Sequence, residues 1–267
     1  MQRALVEVIL LSVASGVLGS WVVLRRLAFL SHALGHATFP ALVVAYIAGW
    51  SIFGTALATS LAVAVGIGAL STRPELSDGV AVGVVLSAGV AVGAVLVSNV
   101  TDPGVGANTI LFGSLLTLDD ADLWRSGAAA ALALAVGAGL GRSLLVATFD
   151  RPQARVSGIP VGALDTLLLC ALANTVAVAV SIVGSLMLSG LILIPAAAAR
   201  LVTRRLRALQ LAATGLCLCA SLGGLWLSVR LDAPPGACIA VAALALLAVV
   251  AAIQATGGVK RLRPIWG

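Results

Sequence analysis

Residues 236–253 read GACIAVAALALLAVVAAI, a run with no charged side chain anywhere in it. Crossing the hydrocarbon core of a bilayer as a helix takes about 20 mostly apolar residues. Working outward from that stretch, comparable runs recur at 208–229, 167–194, 127–140, 79–97, 52–70, 28–46 and 4–24. The run at 127–140 is short and extends toward Ala147 if Arg142 snorkels to the interface. The run at 4–24 is longer than the apolar core of a secretory signal and reads as a retained helix.

Composition agrees. Hydrophobic residues make up 61% of the chain, charged residues 10%, and the mean hydropathy is +1.14. A soluble domain is nearer half apolar and about a quarter charged. The expected fold class is an all-α polytopic membrane protein, a bundle of eight or nine transmembrane helices in one transmembrane domain over residues 1–267. The span beginning at Leu167 is longer than one crossing needs. Gly184, Gly190 and Pro195 interrupt it, which predicts a reversal near 181–189. Pro and Gly at membrane depth need neighbouring helices or a wet cavity to satisfy the freed backbone groups, so a tightly packed bundle is expected.

Thirteen of the sixteen basic residues fall in one set of alternate loops, among them Arg25, Arg26, Arg142, Arg151, Arg155 and Arg204 to Arg207, against Arg3, Arg125 and Arg230 in the other. Lys/Arg-rich short loops stay cytoplasmic. Nine crossings then put the N-terminus outside and the C-terminus in the cytoplasm of a plasma membrane. An outer acidic loop spans about 99–125, and a cytoplasmic loop about 147–163. The formal charge of +6 reflects that topology and the contact of these loops with anionic headgroups. No basic patch interleaved with aromatics exists, which argues against nucleic acid.

Little here resembles an active site. Cys170, Cys217, Cys219 and Cys238 sit inside apolar runs at spacings that suit neither a zinc ribbon nor a CxxC redox pair. Walker, nucleophile-elbow and HExxH motifs are absent, and the sole lysine is Lys260. The exception is SHALGHATFP, residues 31–40, which holds both histidines of the chain, His32 and His36. At i and i+4 on a helix two imidazoles share one face, one turn apart, a workable two-point grip on a metal ion. Ionisable groups inside a membrane helix are costly and usually face a cavity or substrate path. Met187, a soft thioether in the interrupted helix, and Asp232, before Ala233-Pro234-Pro235, are candidate gates or secondary metal contacts.

Four segments in order resemble the membrane subunit of the zinc/manganese/iron ABC importer family. Residues 31–40 resemble its GDALSHAxLPG segment, and LFGSLL at 111–116 its external LFG turn. FDRPQARVSGIP at 149–160 resembles its FDPExAxxxGxP loop, and residues 183–200 its VGxLLLxxLLIIPAAxA segment. The resemblance implies a transport subunit rather than an enzyme, with ATP hydrolysed on a separate cytoplasmic ATP-binding subunit. It further implies a second copy of the chain and an extracytoplasmic metal-binding protein as partners. Phe149, Asp150, Ala154, Arg155, Gly158 and Pro160 are the implied ATPase-coupling residues. His36 matches the family's metal-facing histidine; His32 stands where the family has aspartate. Arg151-Pro152 replaces the usual Pro-Glu. Imidazole in place of carboxylate removes a hard oxygen ligand, which tilts the expected cargo toward Zn2+ over Mn2+ or Fe2+. Within the transporter class the sibling reading is import of a chelated metal; the alternatives from other classes are a secondary carrier without an ATPase and an intramembrane enzyme using the histidines for acid–base work. The second lacks a catalytic carboxylate or serine beside them.

Overall fold

The structure, a computed structural model, describes residues 2–70, 78–98, 119–184 and 188–256. Met187, the 111–116 segment and most of the acidic loop lie outside the described residues. No strand occurs among those described. Eleven α-helices do: α1 Gln2–Leu24, α2 Ala28–Ala48, α3 Ile52–Leu70, α4 Asp78–Ser98, α5 Asp120–Ala133, α6 Gly141–Phe149, α7 Arg151–Val156, α8 Val161–Val183, α9 Leu188–Val202, α10 Leu206–Leu231 and α11 Pro235–Thr256. A π-helical segment, Leu134–Gly139, joins α5 to α6.

Length and apolarity alone mark fewer spans than the eight or nine expected. Among the described residues four helices qualify, or five if the bent α5–α6 pair is one span. Helices α2, α3 and α4 are 21, 19 and 21 residues long and largely apolar, close to the roughly 20 residues a crossing takes.

The fifth apolar run begins earlier than its hydropathy indicates and does not run straight. Asp119 and Asp122 form a reciprocal capping box that starts α5 at Asp120. The π-helical turn then precedes a bend of 60° between Gly139 and Gly141. A π-turn withdraws backbone carbonyls from their regular partners, and inside a membrane they must find others. Here the Gly137 carbonyl accepts from Trp21 Nε1 and from Gln210 Nε2, each at 2.9 Å. Trp21 on α1 is fully buried, and Gln210 on α10 nearly so.

Helix α1 is the centre of the bundle. It packs on α10, α5 and α9, while α10 and α9 carry α11 on their far side. Helices α2, α3 and α4 form a second group, tied to the rest mainly through α3 against α8. Buried residues along α1 (Ala4, Val8, Leu11, Ala14, Leu18, Trp21) read as one interior stripe, interrupted by Glu7 and Ser12. Glu7 is fully buried, and its carboxyl accepts from the Ser126 hydroxyl of α5. Around that end Arg3 pairs with Asp120 at 2.9 Å, Arg125 with Asp122 at 2.7 Å, and the Arg125 guanidinium lies 4.5 Å over Phe53. These contacts bind the starts of α1, α3 and α5 into one polar cap.

Candidate metal-transport site

Helix α2 carries both histidines on one side. The ring centroids of His32 and His36 are 4.3 Å apart, at 66° to each other. Both side chains are half-buried, between the fully buried Ser31, Ala33, Leu34 and Thr38. Pro40 lies inside the helix and has no N–H to offer the carbonyl one turn back. The Thr38 hydroxyl donates to the Gly35 carbonyl at 2.8 Å, so the turn between the histidines and the proline is held by a side chain. No cluster of three or more His, Cys, Asp or Glu side chains able to hold a metal occurs among the described residues. His32 and His36 thus stand there as a pair, with no third such side chain beside them among the described residues.

Helix α4 sets the position of that pair from behind. At Gly89 an added Cβ would stand 2.7 Å from the Cα of Ala37, the residue after His36. Backbone cannot yield as a side-chain tip can, so Gly89→Ala must push α4 off α2. The expected result is at least a tenfold loss of metal uptake with the protein still inserted, since displacement of about 1 Å in a binding constellation costs that much or more. Uptake at matched membrane abundance checks it.

Asp232 is not brought beside the histidines. It is the exposed C-cap of α10 in the left-handed region, φ 49°, at the turn into α11. Those helices pack on α1 and α9, not on α2. Closing a helix is a sufficient structural task for it.

At the opposite end of α1 from the polar cap, the segment from Phe149 to Pro160 forms a compact step. The Asp150 side chain accepts the Gln153 N–H at 2.9 Å and caps α7. Ala154 is fully buried and anchors the short helix, whereas Phe149 and Val156 stand 72% and 84% exposed. Arg155 is exposed on the same helix. Gly158 leaves the helix at φ 73°, a conformation that costs any residue with a Cβ, and Pro160 caps the start of α8. The result is an anchored step that presents Phe149 from the end of α6, and Val156 and a cation from α7, outward.

Sequence reasoning missed Asp165. It is the sole acid in α8, and that isolation was the available signal. Arg25 Nη1, from the end of α1, lies 2.5 Å from its Oδ1, and Arg151 Nη2, from α7, 3.1 Å from its Oδ2. Arg25 also donates through Nε to Thr148 Oγ1 on α6 at 3.0 Å. One carboxylate thus joins α1, α7 and α8, with α6 held through the same arginine.

The profile of the ABC 3 transport family matches residues 1–255. The chain belongs to that family. Members of the ABC 3 transport family are the permease subunits of metal ABC importers, transport proteins rather than enzymes. The manganese transport system membrane protein MntC of Halalkalibacterium halodurans is 32% identical over 248 residues, 93% of this chain and 85% of that one. The manganese import system permease protein ScaB of Streptococcus parasanguinis is 26% identical, over 90% of this chain and 85% of that one. Among solved structures, PsaBC from Streptococcus pneumoniae in complex with Fab superposes with a TM-score of 0.81 at 25% identity, covering 93% of this chain and 90% of that one. An inward-facing conformation of a putative metal-chelate type ABC transporter shares the fold, with a TM-score of 0.72 at 16% identity over 94% of this chain and 85% of that one. This ABC 3 family chain is thus a multi-pass membrane permease for metal.

Proposed function

We propose that this chain imports a divalent transition-metal ion by alternating access, with His32 and His36 as the transient ligands on its path. The observation that carries this is the pair of imidazoles 4.3 Å apart on α2, half-buried and one turn apart. Two ligands are too few for a resident structural site, which is usually closed by four. A partial set suits an ion that must also leave. A second copy of the chain, facing this one, would complete four imidazoles. The matched relatives support the coarser reading, a metal permease driven by an ATPase and fed by an extracytoplasmic binding protein. The step at Phe149 to Pro160 is the surface offered to the ATPase: its exposed Phe149 and Val156 have no reason to face water. The excess of arginine in loops on that side supports placing it in the cytoplasm of a bacterial plasma membrane, with the N-terminus outside.

Zinc follows from the donors, since imidazole without carboxylate suits it better than manganese. Manganese is the second reading, and the names of the relatives favour it. Uptake of radiolabelled zinc and manganese by cells expressing the complete transporter, each in competition with the other, separates the two. Zinc uptake resistant to excess manganese supports the donor argument. Manganese uptake resistant to zinc replaces it. Uptake of neither, with the ATPase present, would remove both readings and leave iron or a chelated metal as the cargo to test.

A further inference from the structure

The kink between α5 and α6 does more than bend a helix. Beside it opens a groove of about 1160 Å³, lined by Val13 and Val17 of α1, Leu134 and Leu145 flanking the π-turn, and Leu211 of α10. Three arginines line the same groove: Arg142 at the start of α6, with Arg205 and Arg207 at the start of α10. All three are exposed, and none makes an ion pair or a side-chain hydrogen bond among the described residues. The carbonyl freed by the π-turn does not compete for a ligand, because Trp21 and Gln210 already occupy it.

Depth matches charge. The wall of α10 from Arg205 to Thr214 rises about 14 Å at about 1.5 Å per residue. That is about half of a hydrocarbon core about 30 Å thick, one leaflet. So the cations stand at the rim of one leaflet and the apolar walls reach to its midplane.

We infer that this groove binds one anionic phospholipid, its phosphate held by Arg142, Arg205 and Arg207 and an acyl chain laid along α1 and the π-turn. Basic pockets between transmembrane helices hold acidic headgroups on charge alone, and the apolar groove adds the chain. A zwitterionic lipid fits the walls equally well but carries no net charge to meet three unpaired cations. The lipid would fill the space that the α5–α6 kink leaves beside α1, and so support that kink.

The test uses the permease purified with its ATPase, in nanodiscs of phosphatidylglycerol or phosphatidylcholine, then extracted gently for native mass spectrometry. Wild type is expected to retain phosphatidylglycerol in clear preference to phosphatidylcholine. R205Q/R207Q is expected to lose that retention roughly 25-fold, about fivefold per arginine. R26Q/R200Q, removing the same charge elsewhere, is expected to keep it. Should R205Q/R207Q fail to fold, Leu211→Trp decides instead, since its indole intrudes from an exposed position where the acyl chain would lie and leaves every arginine in place. Equal retention of the two lipids by wild type, undiminished phosphatidylglycerol on R205Q/R207Q or L211W, or equal loss on R26Q/R200Q would each overturn the proposal.

Discussion

His36→Ala is expected to reduce metal uptake by at least tenfold at unchanged membrane abundance. Removing even an outer-shell partner of a metal ligand costs about 10–100-fold in affinity, and loss of one of two imidazoles in the chain's own set is the harsher change. In a paired assembly the substitution removes two of four ligands at once. His36 is only half-buried, and its neighbours Ala33, Leu34 and Thr38 pack without it, so folding is expected to survive. His32 provides the finer test. His32→Ala should weaken uptake as His36→Ala does. His32→Asp returns the carboxylate that the resembled segment carries, restoring a hard oxygen donor beside an imidazole. Uptake should then persist and its preference move toward manganese. If both alanine variants transport normally, the pair is a packing feature of α2 and the ion passes elsewhere.

Asp165→Asn is the second large effect. The Arg25 side chain is 9% exposed and its Nη2 has no hydrogen-bond partner, so its charge is balanced by Asp165, while the Thr148 hydroxyl accepts from its Nε. Taking one member from a buried pair costs about 3–5 kcal/mol, chiefly because the other charge is left uncompensated. With Asp165 about a quarter exposed, water offsets part of that, and a loss near the lower end, about 3 kcal/mol, is expected. A fall in melting temperature of the detergent-solubilised transporter measures it. Arg151, 60% exposed in its pair with the same carboxylate, should contribute about 0–1 kcal/mol to stability. Its role is different. It links the α7 step to α1 through one shared carboxylate, a route by which motion imposed on α7 would reach the centre of the bundle. Arg151→Gln is therefore expected to leave melting unchanged while lowering metal imported per ATP hydrolysed. If Arg151→Gln changes neither quantity, and Asp165→Asn changes melting alone, the cluster is an anchor and the coupling runs through the packing of Ala154.

The arginine substitutions of the Phe149–Pro160 segment fit that picture. Where the resembled loop carries Pro-Glu, this chain carries Arg151-Pro152. The arginine pairs with an acid on α8, and Asp150, an aspartate the resembled loop also carries, caps α7.

Much of this was legible in the sequence for a plain reason. Membrane crossing is decided by side-chain transfer energies summed over a stretch of about 20 residues, and 236–253 or 4–24 show that sum without any tertiary information. The pairing of His32 with His36 was legible as well, because helical periodicity alone places i and i+4 on one face. Where the crossing interrupted at Leu140 would bend was not legible. The 60° break rests on a carbonyl at Gly137 that Trp21 and Gln210 satisfy, from positions 116 and 73 residues away in the chain. Asp165 was a lone acid in an apolar run, and nothing local could say that Arg25 and Arg151 would converge on it. Nor could sequence show that Arg142, Arg205 and Arg207 share one groove, or that Asp232 closes α10 away from the histidines. Local composition determined which segments enter the membrane and which side chains share a helical face. Only the packing of helices distant in the chain decided which charges meet, because an unpaired charge or carbonyl in a low-dielectric interior is stabilised by whichever partner the fold brings within hydrogen-bonding distance.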